Sequence, residues 1–124
     1  MEHDQFAQDK RALRKSQAGM RLIAQTHIYN GGNWERLRRF IADSYHEEQL
    51  AQQATPQRLQ ALQALYEQVG RLKIKQVLAS NEHHVIVILD TEKTATFYYT
   101  EMKAEEDYPH KITFFMQQPM QAAD

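Results

Sequence analysis

Apolar positions change their period once along this chain, at Gly70. Before it they recur at the three-to-four-residue spacing of a helix face; after it they fall in short alternating or continuous runs, the pattern of strands. Phe6, Leu13, Met20 and His27, spaced seven apart with Ile23 beside them, place one stripe on a helix over 4–29. Lys10, Arg11, Arg14, Lys15 and Arg21 occupy its other faces. Asn30-Gly31-Gly32 ends that helix, because Asn and Gly tolerate the left-handed conformation of a C-terminal cap. Asn33 is placed to cap a second helix whose buried side is Trp34, Leu37, Phe40, Ile41 and Tyr45. A short helical piece over 47–53 leads to Thr55-Pro56, a cap residue followed by proline at the first helical position, where its missing N–H costs nothing. Leu59, Leu62, Leu65, Tyr66 and Val69 then form a third stripe, closed by Gly70.

Beyond Gly70 the period is two. Leu72 and Ile74 oppose Lys73 and Lys75, which predicts a strand over 72–79 with one wet face, followed by a turn at Ser80-Asn81-Glu82. Val85-Ile86-Val87-Ile88-Leu89 is apolar on both alternating faces, so both faces of that strand need cover. The helices can supply one cover, and a second layer has to supply the other. A turn over 90–93, a strand over 94–103 and the acidic loop Glu105-Glu106-Asp107 follow. In the last strand, over 110–117, Ile112, Phe114 and Met116 are expected on one face and Phe115 on the other. No repeat or linker interrupts the chain. The expectation is one α+β domain over 1–124: three N-terminal helices on an antiparallel sheet of about four strands, with 1–15 as a helical extension and 118–124 as a frayed tail.

Composition narrows the function classes. A chain of 124 residues sustains one core, and 42% hydrophobic with 25% charged residues is ordinary for a globular domain. A formal net charge of −1 gives no general attraction to nucleic acid or an anionic membrane, so Arg36, Arg38 and Arg39 and the basic residues of the first helix read as solvated faces. No apolar run approaches the ~20 residues of a membrane span. Met1-Glu2-His3-Asp4-Gln5 lacks the basic start and apolar stretch of a secretory signal, which makes the expected location cytoplasmic. Without cysteine there is no disulfide, thiolate metal site or Cys nucleophile. His83 and His84 are adjacent and would diverge on a strand, and His46-Glu47-Glu48 lacks a second His at helical spacing. Neither a phosphate-binding Gly loop nor a Gly-x-Ser-x-Gly elbow is present. No cofactor, metal, nucleic acid or membrane partner is expected.

Four segments together resemble the cystatin-like cone of the nuclear transport factor 2 superfamily. They are Tyr29-Asn30-Gly31-Gly32-Asn33 before Trp34, the Leu37-Arg38-Arg39-Phe40-Ile41 helix, the helix over 58–70 ending in Val69-Gly70, and Pro109-His110-Lys111-Ile112 opening the last strand. The resemblance covers about 16–117 and is nearest to bacterial modules that precede beta-lactamase-like serine hydrolase or peptidase domains. It implies a sheet curved around the helices, with an open end able to hold a small apolar ligand. The superfamily includes isomerases, dehydratases and epoxide hydrolases as well as non-catalytic binding and dimerisation modules, so fold alone does not choose among them.

Within such a cone the expected pocket residues are His27, Trp34, Phe40, Tyr66, Tyr99, Glu101 and His110. A proton-shuffling enzyme would need a carboxylate or imidazole with a donor in an apolar setting, and Asp90, Glu101, Tyr98, Tyr99, His27 and His110 are the candidates by type. None pairs a base with a donor at recognisable spacing. The exposed apolar sheet face predicts a two-fold homodimer through Val85, Val87, Leu89, Tyr98 and Phe115, and the resemblance points the same way. Two functions follow: a non-catalytic dimeric module that binds a small molecule or a protein, and, as the alternative, a small-substrate isomerase, dehydratase or hydrolase using His27, Tyr99 or Glu101.

Overall fold

In the computed structural model, which describes residues 2–120, five helices precede a four-stranded antiparallel sheet, and the chain is α+β as the change of period predicts. The stretch expected as one helix over 4–29 is two, α1 (Glu2–Lys15) and α2 (Gln17–Asn30). Ser16 separates them. Its backbone is extended and its Oγ accepts from Gly19 N at 2.8 Å, an N-cap that starts a new helix. The seven-residue stripe breaks there: Leu13 is fully buried, while Met20 and His27 are exposed. The core stripe of α2 is Ala18, Leu22, Gln25 and Tyr29, a four-three-four spacing that begins only after the corner.

At the end of α2 the left-handed residue is Gly32, with φ 67°, while Gly31 stays helical. Asn30 clamps the first strand instead: its Nδ2 donates to Leu72 O and its Oδ1 accepts from Leu72 N, both at 2.8 Å. Asn33 caps α3 (Trp34–Ser44) by accepting from Arg36 N at 3.1 Å, and Leu37 and Ile41 are buried as expected. After α4 (Glu47–Gln52), α5 (Thr55–Val69) begins one residue earlier than its Thr-Pro signal suggests. Ala54 holds the cap position, with its N–H donating to Gln57 Oε1 at 3.2 Å, and Pro56 is the second helical residue. Gly70 ends α5 at φ 78° and ψ −149°, a region that only glycine enters without strain. Tyr29 Oη donates to Gly70 O at 2.8 Å, tying this exit to the middle of the core.

The strands β1 (Leu72–Asn81), β2 (His84–Thr91), β3 (Phe97–Ala104) and β4 (Ile112–Met120) pair in chain order. Val85, Val87 and Leu89 stand opposite Met102, Thr100 and Tyr98 and are fully buried in the core that the helices cover. That placement corrects the expected dimer surface. Val85, Val87, Leu89, Tyr98 and Phe115 lie on the helix-facing side, and they are unavailable to a second subunit because they are already in the core or packed on it. The other face carries Ile86 and Ile88 on β2, Tyr99 and Glu101 on β3, and Phe114 and Met116 on β4.

A register shift between Lys103 and Ala104 corrects the last strand as well. Lys103 pairs with Phe114 and Ala104 with Ile112, leaving Thr113 as an extra residue. Ile112 is therefore fully buried on the side of Phe115, opposite to Phe114 and Met116. Similar shifts in β1 leave Lys75 and Leu78 unpaired, which bends that strand. β4 continues past 117, with Pro119 opposite Tyr98; as the last strand in the order it is an edge, the kind of strand that tolerates proline. Residues 121–124, the rest of the expected tail, lie outside the described part.

Candidate functional site

A pocket of about 260 Å³ opens between α5 and the helix-facing side of β3 and β4. One face of α5 builds its roof: Arg58, Ala61, Leu62 and Leu65 follow the spacing of a single helical stripe. Tyr98 from β3, and Phe115 and Gln117 from β4, make the floor. Tyr45 and Gln53 close one side. Tyr45 is held where α3 gives way to α4, because its segment forms a parallel bridge to Ile112 and His46 N donates to Ile112 O at 2.8 Å.

Tyr45, Arg58 and Gln117 at the wall are each held by hydrogen bonds within the protein. Tyr45 Oη donates to Gln25 Oε1 at 2.7 Å, and both side chains are buried. Burial raises the Tyr45 phenol above its ordinary pKa, against smaller opposite effects from Arg58 and from the Gln25 bond. Arg58 lies over the Tyr45 ring, 4.9 Å from its centroid. Its Nε donates to Gln53 O and its Nη2 to Gln49 O, each at 2.7 Å, so the guanidinium also satisfies carbonyls at the end of α4. Gln117 Nε2 donates to Thr100 Oγ1 at 3.1 Å. No carboxylate or imidazole lines the pocket.

None of the seven expected pocket residues lines this pocket, and of them Trp34 and Tyr66 come together elsewhere. His27 is exposed on α2, beside a separate cleft of about 220 Å³ shared with Lys10, Arg14 and Ile74. Trp34 and Tyr66 pack edge to face, 5.1 Å between centroids, and border an open hollow with Gln60 and Glu67. Phe40 is half-buried against the core. Tyr99 and Glu101 point to the opposite face of the sheet, where Glu101 Oε2 is 2.6 Å from His84 Nε2. His110 takes φ 60° in the loop before β4, and its ring stacks on His83 at 5.7 Å. Arg21 braces that loop by donating to Pro109 O at 2.7 Å and to His110 O at 3.3 Å. Asp90 turns its Oδ1 to Thr91 N at 2.9 Å.

Sequence reasoning missed Arg58, Gln53 and Gln117 as pocket residues, took Tyr45 for core, and assigned Tyr98 and Phe115 to a dimer surface. One signal was present: Arg58 and Ala61 share the stripe of Leu62 and Leu65, interrupting an apolar helix face with one cation and one small residue. His83 and His84 diverge as expected, one onto His110 and the other onto Glu101. Among the described residues no group of three His, Asp or Glu is placed to hold a metal, and no helix is long and apolar enough to cross a membrane. No protein-family model, curated protein or solved structure matches this chain.

Proposed function

We propose that this domain is a non-catalytic module of the nuclear transport factor 2-like type, which binds a small molecule in the pocket under α5 and works as a homodimer. The observation that carries the reading is the composition of that pocket. Leu62, Leu65, Tyr98 and Phe115 supply apolar contact, and a few fixed polar groups supply orientation, as is usual for small-ligand sites. Chemistry by proton transfer needs a group that titrates near neutrality, and the pocket's ionisable side chains are two tyrosines and an arginine. The enzymatic alternative relied on His27, Tyr99 and Glu101, which lie on other surfaces.

The test uses a neutral probe of suitable size. At ~30 Å³ for each water-sized unit, a pocket of about 260 Å³ takes about nine non-hydrogen atoms. Titrating 2-phenylethanol into the protein and following backbone amides by NMR is expected to give saturable shifts confined to Tyr45, Leu62, Leu65, Tyr98, Phe115 and Gln117. Ala61→Trp places an indole at the mouth from an exposed helix position and is expected to remove those shifts while leaving the remaining spectrum in place. Shifts that scatter over the surface, or that survive in Ala61→Trp, count against the reading.

A further inference from the structure

We infer that the ligand of this pocket is a small carboxylate with an apolar, preferably aromatic, body. The inference rests on the binding function proposed above and adds the ligand's charge. Its basis is Arg58. A guanidinium has five N–H donors, and the two bonds to Gln53 O and Gln49 O occupy one on Nε and one on Nη2. Three donors remain, including both on Nη1. Among the described residues no carboxylate comes within ion-pair distance of Arg58. The group is half-buried, stacked on Tyr45 and held at two points, so it is already ordered before any ligand arrives.

The rest of the lining agrees with an anion. The pocket contains one cation and no acid, and Gln53 and Gln117 add amides that can orient a carboxylate without opposing its charge. Arg presents paired donors whose spacing matches two carboxylate oxygens, which favours a planar bidentate anion over a tetrahedral or spherical one. Across the floor from Arg58, Tyr98 and Phe115 offer ring surfaces for the apolar part. An ammonium ligand would meet Arg58 with like charge. An alcohol would leave most of the guanidinium's donors without a charged partner.

Three probes of nearly equal shape separate these cases: phenylacetate, 2-phenylethanol and 2-phenylethylammonium, titrated at neutral pH by NMR or calorimetry. The expected order is carboxylate, then alcohol, then ammonium, with phenylacetate about tenfold or more tighter than the alcohol, the advantage of a charge-assisted bond. Arg58→Gln is expected to erase the preference of phenylacetate over the alcohol, and Arg58→Lys to keep part of it. Because Arg58 also satisfies carbonyls of α4, the wild-type protein supplies an independent reading. Raising salt from about 0.02 M to about 0.5 M should weaken phenylacetate and leave 2-phenylethanol unchanged. Equal affinity for carboxylate and alcohol, or a preference that survives Arg58→Gln and high salt, overturns the inference and leaves the binding pocket standing. Failure of all three probes to bind overturns both.

Discussion

Tyr45 joins the core to the pocket, and its phenol makes stability depend on pH at the alkaline end. The hydroxyl donates to Gln25 Oε1, and burial raises its pKa above the usual tyrosine value. A raised pKa means the folded state resists ionisation that the unfolded chain accepts. The resulting stabilisation is complete below about pH 10, the unfolded value, and is lost as pH climbs through the folded one. Tyr29 behaves the same way, shifted upward first by burial and then by Tyr66 and Tyr98, with its hydroxyl donating to Gly70 O. Tyr45→Phe should cost about 1–3 kcal/mol at neutral pH, since it strands the Gln25 carbonyl in the core. Urea melts at about pH 7 and about pH 11 should show the difference between wild type and variant narrowing at the higher value. An unchanged difference would mean that the phenol is not the titrating group. Single residues whose role is local were the most legible: Asn33 as a cap and Gly70 as a stop follow from backbone chemistry alone. Tyr45 read only as core, because its partner Gln25 is 20 positions away and no periodicity announces such a pair.

Elements were legible where one period ran unbroken and were misread where a single residue reset it. α5 and β2 are of the first kind. The corner at Ser16 and the extra Thr113 are of the second: Met20 and His27 came out to solvent, and Ile112 parted from Phe114 and Met116 to share the side of Phe115. A cap inside an apparent stripe is visible as a serine, but serine also occurs on exposed helix surfaces, so only the contact decides. That contact is between α2 and α1. A Cβ added at Gly19 would lie 1.8 Å from Leu13 O, a backbone atom with no rotamer to relieve it. Leu13 O also accepts from Ser16 N at 3.3 Å, and Ala18 N donates to Glu82 O at 3.0 Å, so the corner is fastened to the turn between β1 and β2. Gly19→Ala should force α1 away from α2 and cost about 1–3 kcal/mol or more, the range for overpacking where nothing can yield. Hydrogen exchange should accelerate in α1 and at Ala18 before it does in β2 and β3. A variant as stable as wild type, with protection unchanged, would refute this account of the corner.

On the scale of the whole molecule, the helices pack on one side of the sheet, and the other carries half-buried apolar side chains around a buried Ile88. Ile86, Ile88, Phe97, Tyr99, Phe114 and Met116 stand outside the core cluster, on the face opposite the helices. That both faces of β2 would be apolar was legible from its unbroken run; which face met the helices was not, because the odd and even residues are equally apolar and only the register separates them. A second copy fits this face better than a strongly charged partner would. Its charges are mixed, Lys73 and Lys103 with Asp90 and Glu101, so two copies brought together by a two-fold axis do not oppose one sign, and the chain's net charge is only −1. With four strands, and eight residues in β2, the face measures roughly 27 Å by roughly 19 Å, about 500 Å² in projection. Side chains standing off the sheet enlarge its accessible area toward the ~800 Å² that each partner of a specific interface buries. Light scattering during size exclusion should therefore report twice the 14.6 kDa chain mass at micromolar concentration. The double variant Tyr99→Arg, Met116→Arg puts two like charges per copy at the centre of the contact, which should weaken association by about a hundredfold or more. Neither position is in the helix-covered core, so the variant's circular dichroism should match wild type. Pocket occupancy by 2-phenylethanol should also persist in the monomeric variant, because every residue lining that cavity belongs to one chain and faces away from the contact. A wild-type protein that stays monomeric at every concentration, or a double variant that still dimerises, would mean that the exposed face meets something other than its own copy.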